Sequence, residues 1–168
     1  MEIVVYTDGS ALNNQHKGKR RGGCGVFFSD NDTRNRSIPL KETDTEKVTN
    51  QVAELKACMI AIELVFNTDD VTGKKNKLII YTDSMYSINC ISKWCKTWKK
   101  NNWCKSDKKV IENLELIQKI YEYYLLYNIK FIHVKGHAKE PDVTNPMYCH
   151  WYGNMKADSM ATSASMSL

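Results

Sequence analysis

Two stretches of this chain end in the same way. Glu2-Ile3-Val4-Val5-Tyr6-Thr7-Asp8-Gly9-Ser10 and Leu78-Ile79-Ile80-Tyr81-Thr82-Asp83-Ser84 each run through β-branched and aromatic residues to Tyr-Thr-Asp, then a small residue. Such a run reads as a strand buried on both faces. If the two strands are neighbours, Asp8 and Asp83 meet at one end of a sheet. Two buried carboxylates side by side repel and lose hydration, so they call for a cation or a shared proton. A lone strand-end aspartate reads as the cap of a turn or helix. The matched pair points instead to a metal site.

Two more acidic residues stand in partly apolar settings. Residues 50–66 carry helical periodicity: Leu55, Met59, Ile62 and Phe66 form one line, and Cys58, Ala61 and Val65 a second beside it. Glu54 lies one turn before Cys58 on that second line, on the buried side of the helix start. A carboxylate there caps, snorkels or has a partner; with two aspartates nearby, a shared metal is the sharper reading. Asp158 sits among Met155, Met160 and Ala161 on a final helix expected over about 150–164.

The elements that must position these groups follow from the rest of the pattern. A polar, basic loop (Asn13 to Arg21, closed by Gly22 and Gly23) follows the first strand, and strands are expected at about 24–29 and 34–40, giving an antiparallel meander. The loop's cations are either solvated surface or a phosphate contact. Thr43 to Thr49 is rich in capping residues, consistent with a helix start at 50. After the 78–83 strand come a helix over 84–93, a helix over 107–127 with Ile111, Leu114, Ile117, Tyr121, Tyr124 and Leu125 inward, and a strand at 129–134. A long loop with Pro141 and Pro146 then leads to the last helix, and the tail from 163 to 168 is expected to fray. The order β-β-β-α-β-α-α-β-α implies an α/β fold: a mixed five-stranded sheet with helices packed on it.

Composition narrows the function classes. With 168 residues, 42% hydrophobic and 26% charged, the chain is expected to form one globular domain with an ordinary core. A formal net charge of +5 permits a polyanionic partner without establishing one. No apolar run is long enough to cross a bilayer, and the first strand begins at once, so an intracellular protein without a signal peptide is expected. The six cysteines include no C-x-x-C pair and read mostly as reduced core residues. His133 and His137 are four apart, but a strand running into a loop does not present them as a zinc-binding face. Trp94-Cys95-Lys96-Thr97-Trp98-Lys99-Lys100-Asn101-Asn102-Trp103 interleaves tryptophans with lysines. That pattern suits core packing, or a platform that packs one aromatic edge and offers the rest to sugar-phosphate.

Six segments, in order, resemble the type 1 ribonuclease H family: Tyr-Thr-Asp-Gly-Ser (6–10), Thr-Asn-Gln-Val-Ala-Glu-Leu (49–55), Tyr-Thr-Asp-Ser (81–84), Trp-Lys-Lys-Asn-Asn-Trp (98–103), His-Val-Lys-Gly-His-Ala (133–138) and Gly-Asn-Met-Lys-Ala-Asp (153–158). The resemblance covers nearly the whole chain and implies a ribonuclease H-like fold and endonucleolytic hydrolysis of the RNA strand of an RNA–DNA hybrid. Asp8, Glu54, Asp83 and Asp158 match the metal-binding carboxylates, which implies two Mg²⁺ ions (Mn²⁺ substituting) about 4 Å apart and products with 5′-phosphate and 3′-hydroxyl ends. His137 matches the loop histidine that assists proton movement or product release; on the residues alone it is a surface histidine beside Gly136, and His150 is the stand-in if the lengthened 138–152 loop displaces it. By the same resemblance, Asn14, Asn50, Gln51 and Met85 contact the minor groove and the 2′-hydroxyls that distinguish RNA from DNA. Thr49 and Asn113 match a pocket for a DNA-strand phosphate. Trp94, Trp98 and Ser106 match a channel along the deoxyribose backbone, within a basic protrusion over about 94–106 that also carries Lys99 and Lys100.

The sequence departs from the pattern at Val52, where many relatives have arginine, and in its longer basic loop at 14–22. The expectation is a stand-alone, monomeric catalytic domain. The alternatives are another metal-dependent nuclease or resolvase of the same fold, and a catalytically silent nucleic-acid-binding module. An intact carboxylate set argues against the last, because unused buried charge is a standing cost to stability.

Overall fold

The computed structural model describes residues 1–12, 20–67 and 75–167. Strands β1 (Glu2–Leu12), β2 (Arg21–Phe27), β3 (Arg36–Lys41), β4 (Lys77–Thr82) and β5 (Asn128–His133) form one sheet in the order β3-β2-β1-β4-β5. The first three make the expected antiparallel meander, and β4 and β5 run parallel to β1. The register pairs Tyr6 with Tyr81 and Thr7 with Thr82. Asp8 and Asp83, the next residue on each strand, therefore leave the ladder level with one another.

Helix α1 (Asn50–Phe66) starts where expected, because the Thr49 hydroxyl accepts the Val52 N–H at 3.1 Å. Both of its apolar lines are used: Leu55, Cys58, Ala61, Ile62, Val65 and Phe66 pack with Val5, Val26, Leu78 and Ile80 in the main core. Helix α2 (Met85–Asn89) opens under Ser84, whose hydroxyl accepts the Ser87 N–H. It continues through a π turn at Cys90–Trp94, where the Cys95 N–H reaches Cys90 O, into α3 (Cys95–Lys100). Helix α4 (Leu114–Leu126) packs beside α1. Helix α5 (Tyr148–Met166) covers the other face of the sheet, where Ala157 joins Tyr6 and Phe27 in a smaller core.

Three expectations are corrected. The helix expected over 107–127 begins only at Leu114, because Lys108 and Asn113 hold left-handed backbone angles (φ 61° and 60°) that an α-helix does not contain. Ile111 is nonetheless buried, as its apolar side chain required. The tail expected to fray from 163 is helical as far as Met166, with Ala164 and Ser165 buried; Leu168 lies outside the described residues. Finally, Gly22 and Gly23 belong to β2 and do not close the preceding loop. A Cβ on Gly22 would meet the Ser10 carbonyl oxygen and Val48, and the smallness of Gly23 lets α5 lie directly on β2.

At Gly25 that approach is closest: a Cβ would overlap the Ala157 carbonyl oxygen and come within 2.9 Å of the Ala161 nitrogen. Neither backbone atom can move without lifting α5 off the sheet. Gly25→Ala is therefore expected to cost about 3 kcal/mol. For a domain of this size that lowers the thermal midpoint by roughly 6–12 °C. Calorimetry of the purified variant measures it; an unchanged midpoint means α5 is not seated this tightly.

Candidate active site

The site is built where β4 ends beside β1, which runs on past Asp8 to Leu12 instead of ending at the aspartate as expected. Asp8 is 4% exposed, and a ligand oxygen from each of Asp8, Glu54 and Asp83 lies within 4.8 Å of the other two. Glu54 is brought in by the first turn of α1, which can sit on β1 because residue 9 is glycine: a Cβ there would overlap the Glu54 backbone nitrogen. In return the Gly9 N–H donates to the Glu54 carboxylate. Asp158 comes from α5, on the other layer, close enough to share a hydrogen bond with Asp8 but outside the tight trio.

Electrostatically this is a strained arrangement. Burial raises the affinity of Asp8 for a proton well above the carboxylate norm, and the Glu54 and Asp83 charges raise it further. Glu54 moves the same way, first through burial and then through Asp83, against the pull of its hydrogen bonds to Asp8 and Gly9. Asp83 is also raised by burial, opposed by a hydrogen bond from Asn154. Glu54 Oε2 is buried with no hydrogen-bond partner among the described residues. An orphaned carboxylate oxygen among all-oxygen donors suits a hard divalent cation, so Asp8, Glu54 and Asp83, with Asp158 beside them, fit such an ion.

The loop after β5 closes over Asp83. A Cβ at Gly136 would stand 2.6 Å from Asp83 Oδ2, so the glycine lets this loop lie on the carboxylate. His137 follows in a left-handed conformation (φ 50°), exposed, and lines a cavity of about 290 Å³ with Ala138, Trp151, Asn154, Met155 and Asp158. The stand-in role for His150 is not open to it. That side chain is hydrogen-bonded to the Tyr6 hydroxyl at 2.9 Å and stacked on Tyr81 at 4.5 Å, below the aspartates.

The residues expected to touch substrate fall into two groups. Thr49, Gln51 and Asn113 line one cavity of about 510 Å³, with Arg20 and Lys47 and the carboxylates Glu42 and Glu112. Thr49, Asn50, Gln51 and Arg20 line an adjoining one of about 330 Å³. Asn50 is anchored there by accepting the Ala11 N–H at 2.9 Å. Met85, 45% exposed, opens α2 two residues after Asp83. In the second group, Tyr86, Trp94 and Trp98 form a chain of ring contacts at 6.4 and 5.8 Å, Trp98 packs on the main core, and Lys99, Lys100 and Ser106 are exposed. Asn14 lies outside the described residues.

Sequence reasoning did not single out Lys47, Asn154 or Trp151. Asn154 had a usable signal: it precedes Asp158 by four residues, hence shares its helix face. Lys47 carried none, because only the turn before Thr49 brings it beside Asn113.

Among the described residues no helix is long and apolar enough to cross a membrane. The RNase H family model matches residues 1–166. Ribonuclease H of Schizosaccharomyces pombe is 39% identical over 158 residues, covering 94% of this chain and 51% of that protein. A probable ribonuclease H of Acanthamoeba polyphaga mimivirus is 38% identical over 143 residues, covering 85% and 58%. The chain thus spans little more than half the length of these two relatives. The solution structure of the PFV RNase H domain superposes with a TM-score of 0.70 at 27% identity, covering 97% of this chain and 93% of that one. On the extent of the family match and the identity to these relatives, the chain belongs to the ribonuclease H family.

Proposed function

We propose that this chain is a ribonuclease H that cuts the RNA strand of an RNA–DNA hybrid internally, leaving 5′-phosphate and 3′-hydroxyl ends. The observation that carries this reading is the meeting of Asp8, Glu54 and Asp83 where β4 ends beside β1, with an orphaned Glu54 oxygen among them. Asp8, Glu54, Asp83 and Asp158 would hold two Mg²⁺ ions. When bound, such ions activate a water molecule and stabilise charge on the departing 3′-oxygen. The protein's own part is to hold the carboxylates at fixed spacing before substrate arrives. His137, on the rim beside Asp83, takes up or releases a proton there.

Strand choice belongs to the neighbouring surface. Asn50, Gln51 and Met85, with Asn14, read 2′-hydroxyls, so that the RNA strand lies over the carboxylates. Thr49 and Asn113 hold a phosphate of the DNA strand, in a cavity where Arg20 and Lys47 stand against Glu42 and Glu112. Trp94 and Trp98 support the deoxyribose backbone farther along, with Ser106, Lys99 and Lys100 around it.

Four outcomes test this. Because Asp8, Glu54 and Asp83 bind protons more tightly folded than unfolded, the metal-free protein should lose stability as pH rises above about 4. Mg²⁺ binding should restore it, so the Mg²⁺-induced rise in thermal midpoint is larger at pH 8 than at pH 5.5. An equal rise at both pH values rules out these carboxylates as the ion's ligands.

Asp83→Asn should lower hybrid cleavage more than about tenfold, about 1.4 kcal/mol in barrier, while hybrid binding persists and the metal-free protein is no less stable. Turnover above a tenth of wild type takes Asp83 out of the site. On labelled hybrid, duplex RNA, duplex DNA and single-stranded RNA, the wild-type protein should cut chiefly the RNA of the hybrid.

Replacing Lys99 and Lys100 together by alanine should raise KM with kcat nearly unchanged. The slope of log K against log salt should fall by up to ~2 as phosphate contacts are lost. An unchanged slope and KM would leave this segment a structural role alone.

A further inference from the structure

A proton-transfer group must be held where it is needed, yet His137 is exposed on a loop. Gly136 rests against Asp83 on one side of it. On the other side, the chain runs from Ala138 through Pro141 and Pro146 before α5 begins. The hydrogen bonds of that stretch among the described residues are mostly local. Asp142 accepts from Thr144, Asn145 accepts from Met147, and the Tyr148 N–H reaches Asn145 O. None of these ties the start of the loop to the body of the protein.

We propose that Trp151 is the positioning residue for His137. Its indole Nε1 donates to the carbonyl oxygen of Ala138, the residue after His137, at 3.0 Å. Trp151 and His137 line the same cavity, which Asp158 also lines. Trp151 is itself held, because the first turns of α5 are anchored. Its neighbour His150 is bonded to Tyr6 and stacked on Tyr81, and its own ring contacts Tyr148 at 5.5 Å. Tyr6 and Tyr81 lie two residues before Asp8 and Asp83 on the same strands. The strands that carry the aspartates thus also hold, through His150 and then Trp151, the loop that carries the histidine. This assignment rests on the reading of His137 as the proton-transfer group.

Trp151→Phe separates positioning from packing, since it keeps a ring in the cavity and removes the donor. It should lower kcat about tenfold, the scale of effect that a small misplacement of a reacting group produces. KM for the hybrid and the metal-free thermal midpoint should stay at wild-type values. His137→Ala should be slower still, and the double variant no slower than His137→Ala alone. The His137 ring proton resonance, assigned by its loss in His137→Ala, should shift or broaden in Trp151→Phe.

A wild-type kcat in Trp151→Phe beside a slow His137→Ala, or losses that multiply in the double variant, would overturn the proposal and leave the role of His137 intact. A wild-type rate in His137→Ala would instead overturn the proton-transfer reading. In that case the resonance decides the positioning by itself: a shift in Trp151→Phe supports it, and an unchanged line sinks it.

Discussion

Carboxylates crowded where β4 ends beside the central strand β1 set the terms for the rest of this molecule. Burial raises the proton affinity of Asp8, Glu54 and Asp83, and the Asp83 charge raises that of the other two further, so without a counter-charge the fold must hold them by force. That force comes from both faces of β1. Below it, Val5 and its neighbours pack against α1; above it, Tyr6 packs against α5. Strands buried on two sides cannot slip, because a shift of one residue would turn every side chain to the wrong face. The parallel register of β1 and β4 is therefore what sets the aspartates level, and two glycines let backbone come close enough to complete the group.

Substrate-facing surface obeys different physics. The Tyr86–Trp94–Trp98 chain is packed on the core through Trp98, and the Asn113 side chain donates to the Tyr86 hydroxyl at 3.3 Å. One hydrogen bond so links the cavity that holds Thr49 to the aromatic segment. Rigid aromatic area of this kind costs little order on binding. The lysines at the end of α3 stand in water, where their attraction for phosphate is long-ranged but screened by salt. Positioning and attraction are divided between different side chains a few residues apart.

The sequence was most informative where burial and periodicity agree. The paired Tyr-Thr-Asp stretches and the two apolar lines of α1 predicted the level aspartates and the helix that delivers Glu54; both are present, although β1 runs on past Asp8 to Leu12. It was least informative where a single backbone angle decides. Residues 107–113 have helix-compatible composition, but left-handed angles at Lys108 and Asn113 hold the chain in turns until Leu114. Gly22 and Gly23 read as punctuation because glycine usually is that; their place inside β2 and their close contacts, with β1 and Val48 for one and with α5 for the other, appear only in the folded chain. Lys47 and Trp151 were illegible for a related reason. Each gains its meaning from a partner distant in sequence, Asn113 in one case and the loop at Ala138 in the other.

Helix α5 explains why one element can serve chemistry and stability at once. Its middle and end lie on β2, where Ala157 and Ala161 leave no room for a side chain on the strand, so the helix cannot translate without opening a gap. Its first turns are held separately, by His150 on two tyrosines of the sheet. Between these anchors lie Asn154, which bonds Asp83, and Asp158, which reaches Asp8. A carboxylate brought from a second layer needs such a double hold, because any rotation of the helix about its axis would carry it away from β1. The close helix–sheet contact and the aromatic anchor therefore act on the same degree of freedom, and the placement of Asp158 follows from suppressing it.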